Sequence, residues 1–353
     1  DGYLQIDYGD KAPSCYIGNN MRAVRIRYMG RYLPKRAVSN ANLVDLGYDI
    51  QSENVFFKGV NNRYWADESE SSLYMGSQAA LDLIRQHDVD VRKIDLIIFS
   101  ALIGDYIAPQ SASGVQHTIG ASNATAITLD TGCASFVSGI RYGSLLIRAG
   151  EFHRVLVVSV SNFAGRAQGN VKNASALIPG DGAGAILLES CDAQSCALVT
   201  HYEQSFGQHH GLFAIHAIDE LGQPTKVWQP SHSAAFCFSC ELVEKIKENA
   251  CRYLPLAMKA CLVQGKLPID DIDALFTHQP NRYLLEYWRE AIGIGADKHL
   301  NTLAQYGNLF QASIPMSMYE AIKTKKLKSG HLVMLASFAF AGELAAAVVI
   351  RFG

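Results

Sequence analysis

Apolar runs of strand length alternate with segments of helix length along most of the chain. In the first half these segments occupy 94–100, 113–119, 126–129, 134–148 and 154–159, and in the second half 272–278, 283–292, the residues after Asn308, and 331–336. Strands that alternate with helices form mainly parallel sheets with helices packed on their faces. The alternation therefore predicts an α/β fold.

The second half repeats the order of the first. The segment KIDLIIFS at 93–100 matches DIDALFTH at 271–278, and each reads as a short exit turn followed by a buried strand. Further along, Cys133 opens one helix and Asn308 opens another, each directly after a glycine. A repeat of this kind predicts two similar halves that meet along a pseudo-two-fold axis.

The duplication suggests how the 353 residues are divided. We expect an extension at 1–20, a first half at 21–195 that carries a nucleophile, and a second half at 196–353, with inserted loops from about 168 to 240. Charged residues make up only 18% of the chain. A fraction below that of an average soluble domain indicates surface buried between subunits, so we expect a homodimer.

Charge and composition exclude several functions. The formal net charge is −2 and no basic cluster stands out, which argues against nucleic acid as a partner. The apolar runs are strand-sized, so no membrane span is expected. Eight cysteines without a paired framework indicate reduced thiols in a cytoplasmic protein. Cys237 and Cys240 form one CxxC without a second pair, so we interpret them as packing residues and expect no metal.

Cys133 lies in TLDTGCASFVSG, after a short apolar strand and at the start of a helix with small early residues. Unpaired N–H groups and the helix dipole at such a position favour the thiolate, which makes a cysteine nucleophilic. A buried, inert thiol is the alternative reading, and the strand-to-helix turn by itself does not decide between the two.

Two more residues are candidates because of where the repeat places them. His278 follows a predicted strand, and open α/β sheets gather their active sites at the carboxyl ends of strands. Asn308 begins the helix equivalent to that of Cys133, although Asn is also a common helix N-cap. If the halves are related by a two-fold axis, both helix starts and His278 approach one central point.

Four segments resemble the β-ketoacyl-ACP synthase III group of the thiolase superfamily, in order and spacing across about 21–352: TGCASFVSG, IPGDGAGAILLE, THQPN and YGNLFQASIPMSMYEA. The resemblance implies a five-layered αβαβα thiolase fold, a homodimer and a Cys-His-Asn site made of Cys133, His278 and Asn308. It also implies an acyltransferase that uses acyl-CoA or acyl carrier protein thioesters together with a malonyl-type thioester.

In the implied reaction, the Cys133 thiolate takes an acyl group from a thioester. A malonyl-type or β-ketoacyl thioester then loses carbon dioxide, and His278 and Asn308 donate hydrogen bonds to the enolate oxygen that forms. The carbanion attacks the acyl group and releases a β-keto thioester. This chemistry needs no metal and no other cofactor. Fatty-acid-derived or polyketide secondary metabolism is the expected setting.

The chain departs from the family pattern in two places. Glu53 and Phe57 stand where relatives that use acetyl-CoA carry residues that clamp adenine, and SFAFAGE replaces the glycine-rich loop that completes the oxyanion hole. These departures favour a specialised relative that acts on a carrier-bound or longer acyl chain. We expect Phe206, Asn281 and Phe340 to contact the substrate.

Two alternatives remain open at this point. One is an acyltransferase that passes the acyl group from Cys133 to an alcohol or amine without decarboxylation, which the presence of Asn308 argues against. The other is a non-catalytic dimer partner of a condensing enzyme, which an intact Cys-His-Asn set argues against.

Overall fold

The computed structural model describes residues 22–48, 50, 58–166, 177–191, 198–221, 223–225, 233–236 and 240–353. Within these residues, the chain forms two larger sheets with helices on both sides of each. The predictions about 1–20, Glu53, Phe57 and Cys237, and the boundary between 195 and 196, lie outside the described residues.

The first large sheet has five strands in the order β1-β7-β6-β4-β5. β4 runs parallel to β5 and β6, whereas β7 runs antiparallel to both β6 and β1. Continuous apolar runs such as LIIFSA in β4 suit strands that are covered on both faces. The strands are β1 (Ala23–Tyr32), β4 (Leu96–Ala101), β5 (Thr125–Thr128), β6 (Arg154–Ser161) and β7 (Gly182–Cys191).

The second large sheet has four strands in the order β12-β13-β14-β8. β12 is parallel to β13, β13 is antiparallel to β14, and β14 is antiparallel to β8. This is the connectivity of the β4-β6-β7-β1 part of the first sheet, so the two halves share one topology. The strands are β8 (Leu198–Ser205), β12 (Ala274–Thr277), β13 (Leu332–Ala339) and β14 (Leu344–Arg351).

Helices form three layers around the two sheets. α2 and α3 cover the outer face of the first sheet, α4 and α8 lie between the sheets, and α5 covers the second sheet with α6 packed against it. The result is the expected five-layered αβαβα arrangement. The helices are α1 (Asn40–Asp45), α2 (Ser72–His87), α3 (Ala112–Thr118), α4 (Ser135–Arg148), α5 (Cys240–Gly265), α6 (Arg282–Ile292), α7 (Leu303–Tyr306) and α8 (Ser313–Lys323).

Local sequence explains several helix ends. The Ser71 side chain accepts a hydrogen bond from the Tyr74 N–H at the start of α2, and α6 ends at Gly293 in the left-handed conformation. Short strands complete the fold outside the two large sheets: β2 (Arg36–Ser39) pairs with β3 (Asn62–Trp65), and β9 (Ile215–Ile218) pairs with β10 (Pro224–Thr225) and β11 (Ser233–Phe236).

Candidate active site

Cys133 lies in a tight 3₁₀ turn, Gly132–Ala134, that leads directly into α4. The turn is fixed to the second half of the chain, because the Ser337 hydroxyl on β13 donates a hydrogen bond of 2.7 Å to the Cys133 carbonyl oxygen. The residue is nearly enclosed, with 9% of its surface exposed. The first half therefore supplies Cys133, the predicted nucleophile, and a strand of the second half holds its backbone in place.

The same strand also positions His278. This residue follows β12, and its backbone N–H donates to the Ala336 carbonyl oxygen at 3.1 Å, next to the Ser337 that holds Cys133. A second 3₁₀ turn, Phe310–Ala312, follows Asn308 and packs against the turn of Cys133. The structure thus brings Cys133, His278 and Asn308 together at one end of β13, at the contact between the halves.

The hydrogen bonds of Asn308 determine which ring nitrogen of His278 carries the proton. The backbone N–H of Phe310 can only donate, and it lies 2.8 Å from Oδ1 of Asn308, which identifies that atom as the oxygen. Nε2 of His278 lies 3.2 Å from the same oxygen. It must therefore donate, so the ring carries its proton on Nε2. Among the described residues, Nδ2 of Asn308 makes no hydrogen bond, and its two N–H groups are available to a ligand.

Burial controls the titration of both reactive groups. It raises the pKa of the Cys133 thiol to about 12, and nearby Asp130 adds to the rise while the backbone N–H of Cys133 opposes it. Burial of the thiol therefore opposes the thiolate that the helix start is predicted to favour. Burial also lowers the pKa of His278 to about 4, against the opposing effects of Asn308 and the Phe338 main chain. Thiol and imidazole are both neutral near pH 7.

The backbone of Asn308 is held by the segment that precedes β7. The Asn308 N–H donates to the Ile178 carbonyl oxygen at 3.1 Å, and the Gly180 N–H donates to the Asn308 carbonyl oxygen at 2.9 Å. Two glycines permit this approach: a Cβ on either Gly180 or Gly307 would lie 2.2 Å from a backbone oxygen of the facing segment. The glycine before Asn308 therefore lets two backbones meet.

Asp181 anchors that segment from the other side. Its fully buried carboxylate accepts backbone hydrogen bonds from Ala66, Ala164 and Gly165 at 2.8–2.9 Å. Burial raises the pKa of Asp181 to about 6, although the three N–H groups and Arg166 favour the charged form. The motif GDGAGA thus ties two loops and β7 to the backbone that carries Asn308.

The Asp181 shift predicts a pH-dependent stability. Because burial raises the pKa in the folded state above its usual value near 4, the folded state binds the proton more tightly, and stability falls as pH rises from about 4 to about 6. A shift of roughly two units corresponds to about 3 kcal/mol. Denaturant unfolding at pH 4 and pH 7 should therefore show that the wild type loses about 3 kcal/mol relative to Asp181→Asn over this interval. A pH-independent difference between the two proteins would contradict the assignment.

The three residues predicted to contact the substrate have different neighbours in the fold. Phe340 packs its ring against Gly132, immediately before Cys133. Phe206 is mostly buried and stacks on Tyr253 with 3.9 Å between ring centroids. Asn281 follows His278 by three residues, and its side-chain oxygen caps α6 by accepting from the Leu284 N–H at 2.9 Å. Their contact with substrate remains a prediction.

Sequence reasoning missed two residues that hold the site, Ser337 and Asp181. Ser337 gives no signal in the sequence, because its partner is a carbonyl oxygen far away in the chain. For Asp181 the sequence does contain an indication, an acidic residue between two glycines, because glycines allow other backbone N–H groups to come close enough to bind a carboxylate.

Two features are absent from the described part of the chain. No helix there combines the length and apolar character needed to cross a bilayer. No group of three His, Cys, Asp or Glu side chains in those residues is arranged to hold a metal ion.

Two family descriptions match the chain in the regions that carry the site. Residues 127–205 match 3-oxoacyl-[acyl-carrier-protein (ACP)] synthase III, and residues 262–352 match the C-terminal part of the same family. The first region contains Cys133, and the second contains His278 and Asn308.

Curated relatives match over nearly the whole length. The chain is 28% identical over 318 residues to a β-ketoacyl-[acyl-carrier-protein] synthase III of Staphylococcus epidermidis, covering 89% of this chain and 94% of that protein. A synthase III of Halalkalibacterium halodurans is also 28% identical, over 94% of this chain and 97% of that protein.

Solved structures agree in fold. The synthase III of Thermus thermophilus superimposes with a TM-score of 0.81 at 25% identity, over 93% of this chain and 99% of that one. The priming β-ketosynthase of the R1128 polyketide pathway also gives a TM-score of 0.81, at 22% identity and over 94% and 97% of the two chains. The predicted thiolase fold is confirmed. The chain is a β-ketoacyl-ACP synthase III-like condensing enzyme of the thiolase superfamily.

Proposed function

We propose that this chain catalyses a decarboxylative Claisen condensation between an acyl group held on Cys133 and a malonyl or β-ketoacyl thioester. The observation that carries the proposal is the state of Asn308. Its oxygen engages the His278 Nε2–H, while its own two N–H groups make no hydrogen bond to any described residue and lie beside the turn of Cys133. Two side-chain donors at one point suit an enolate oxygen, which carries the charge when carbon dioxide leaves.

The first half-reaction loads Cys133. The buried thiol is neutral, so its proton has to leave as sulfur bonds to the acyl carbon. Because Nε2 of the neutral His278 ring already carries a proton, Nδ1 is the nitrogen at which this ring accepts the thiol proton. A proton on the ring is favoured by the Phe338 main chain and by Asn308. The proton then passes to the departing thiol of the acyl carrier, which returns the imidazole to its neutral form.

The second half-reaction forms the carbon–carbon bond. A malonyl-type thioester places its carbonyl oxygen against the Nδ2 donor of Asn308, and the His278 Nε2–H, which engages the Asn308 oxygen before the thioester arrives, turns towards the same carbonyl oxygen. Both donors stabilise the negative charge that develops as carbon dioxide leaves. The resulting carbanion attacks the acyl carbonyl and displaces the Cys133 sulfur. A nearly enclosed site strengthens such hydrogen bonds because little water competes for them.

The proposal extends to substrates and setting. We propose acyl-CoA or acyl carrier protein thioesters as primers, a malonyl-type thioester as extender, and a role in fatty-acid-derived or polyketide metabolism. The relatives are named β-ketoacyl-[acyl-carrier-protein] synthase III, and one structural neighbour is the priming β-ketosynthase of a polyketide pathway.

We also propose a homodimer. The edge strand β5 exposes Ile127, and the loop before α3 exposes Tyr106 and Ile107, with 68% and 78% of their surfaces accessible in the single chain. Apolar side chains next to an open sheet edge are suited to burial against a second copy.

Intact-mass analysis after incubation with an acyl thioester tests the assignment of Cys133. We expect one acyl adduct on the wild type and none on Cys133→Ala, because no other thiol lies beside His278 and Asn308 among the described residues. Cys261→Ala is the matched control: burial raises the pKa of that thiol to about 12 as well, yet it lies within α5. An adduct that persists in Cys133→Ala, or that maps to Cys237 or Cys240, contradicts the assignment.

A further inference from the structure

The turn after β13 has an unusual backbone. Three successive residues adopt the left-handed conformation: Phe340 with φ 45°, Ala341 with φ 57° and Gly342 with φ 115°. Only the third is a glycine, and a side chain destabilises this conformation. Residues in such conformations persist where the surrounding structure holds them, and they concentrate at functional sites.

Contacts on both sides hold the turn in this shape. The buried Asn249 side chain donates to the Ala341 carbonyl oxygen at 2.7 Å, and the Glu343 N–H closes the turn by donating to the Ala339 carbonyl oxygen at 3.0 Å. A Cβ on Gly342 would lie 2.8 Å from the Asn249 Cβ. The direction in which Phe340 points is therefore set by neighbours of the turn.

The Phe340 ring packs against Gly132, the residue before Cys133. A Cβ built on Gly132 would lie 2.4 Å from Cε2 of Phe340 and 2.7 Å from two further ring atoms. The ring thus occupies the space in which any other residue before Cys133 would carry its side chain. The Phe340 residue is only partly buried, so some of its surface stays accessible.

We propose that Phe340 is a specificity-determining residue that limits the width of the acyl group next to its carbonyl carbon. The inference rests on the proposed function, with Cys133 as the acyl site. Gly132 is bonded directly to Cys133, so the Phe340 ring is fixed beside the residue whose sulfur carries the acyl group. A straight chain passes along the flat face of the ring, whereas a methyl branch at the second carbon meets it.

Loading of butyryl and isobutyryl groups tests this directly. Both are supplied as N-acetylcysteamine thioesters, which present the acyl group without a carrier, and adduct formation on Cys133 is followed by intact mass. We expect the wild type to load the straight chain about 10- to 200-fold faster, the usual effect of one methyl group in an apolar pocket. In Phe340→Ala and Phe340→Gly the ratio should fall towards one.

Ala341→Gly is the matched control. This change relieves the strain of a left-handed residue at the position after Phe340 and leaves the ring in place. The ratio of butyryl to isobutyryl loading rates should therefore equal that of the wild type. Phe340→Gly also suits the backbone conformation, so folding of this variant is not at risk from the turn. An unchanged ratio in both Phe340 variants, with adducts present, overturns the inference, as does an equal drop in Ala341→Gly. Absence of any adduct on the wild type overturns the proposed function as well.

Discussion

Asn308→Ala should release carbon dioxide from a malonyl thioester about 10²- to 10³-fold more slowly than the wild type, the usual loss for one oxyanion donor. The variant should still form the acyl adduct on Cys133. The split is expected because Nδ2 of Asn308 makes no hydrogen bond to a described residue and serves when an enolate oxygen is present. Loading relies on Cys133 and His278, and on Asn308 only through the oxygen that favours a proton on the ring. Labelled carbon dioxide and intact mass, measured on one preparation, separate the two half-reactions.

A capping role for Asn308 predicts a different result. Its oxygen accepts the Phe310 N–H, so loss of a cap alone would reduce stability by about 1 kcal/mol and leave carbon dioxide release per folded molecule unchanged. Asn308→Asp is the matched variant, because it keeps an oxygen for Phe310 and His278 but replaces the donor Nδ2 by a second oxygen. We expect slow release in Asn308→Asp with a smaller loss of stability. Unchanged release in both variants favours the acyltransferase alternative.

Much of the fold could be predicted because the local sequence indicates where its strands and helices lie. The strand at 94–100 appears as Leu96–Ala101, the helix at 113–119 as Ala112–Thr118, and the helix at 283–292 as Arg282–Ile292. The spacing of apolar residues and the positions of turn residues are short-range features, so they can be recognised in a single sequence. The duplication adds long-range information, since it relates Cys133 and Asn308 as equivalent positions of the two halves.

Burial and long-range contacts could not be predicted in this way. A helix start before Cys133 is visible in the sequence, but the enclosure that raises its pKa to about 12 depends on β13 and on the second half of the chain. The partners of Asp181 come from two separate loops, one with Ala66 and one with Ala164 and Gly165, and nothing in the local sequence pairs them with Asp181. Burial shifts the pKa of a side chain by removing water from around it, and burial depends on how the whole core is assembled.

Gly307→Ala should be the most damaging single-methyl change at the site. The residue has φ 67° and ψ −160°, a region that is essentially restricted to glycine. The added Cβ would lie 2.2 Å from the Ile178 carbonyl oxygen, which is backbone and cannot rotate away. That oxygen accepts the Asn308 N–H, so the collision pushes apart the two segments that hold Asn308. We expect a stability loss of about 3 kcal/mol or more, together with decarboxylation at least as slow as in Asn308→Ala.

Gly293→Ala separates the collision from the conformational cost. Gly293 has φ 77°, but no atom lies within 4 Å of the position its Cβ would take, and it ends α6 away from the site. This variant should lose about 1–2 kcal/mol, the cost of a left-handed alanine, and keep its rate of carbon dioxide release per folded molecule. Thermal unfolding and labelled carbon dioxide release on both variants measure the two effects. If Gly307→Ala loses no more stability than Gly293→Ala and retains its decarboxylation rate, the contact between residues 178–180 and Asn308 does not position the donor.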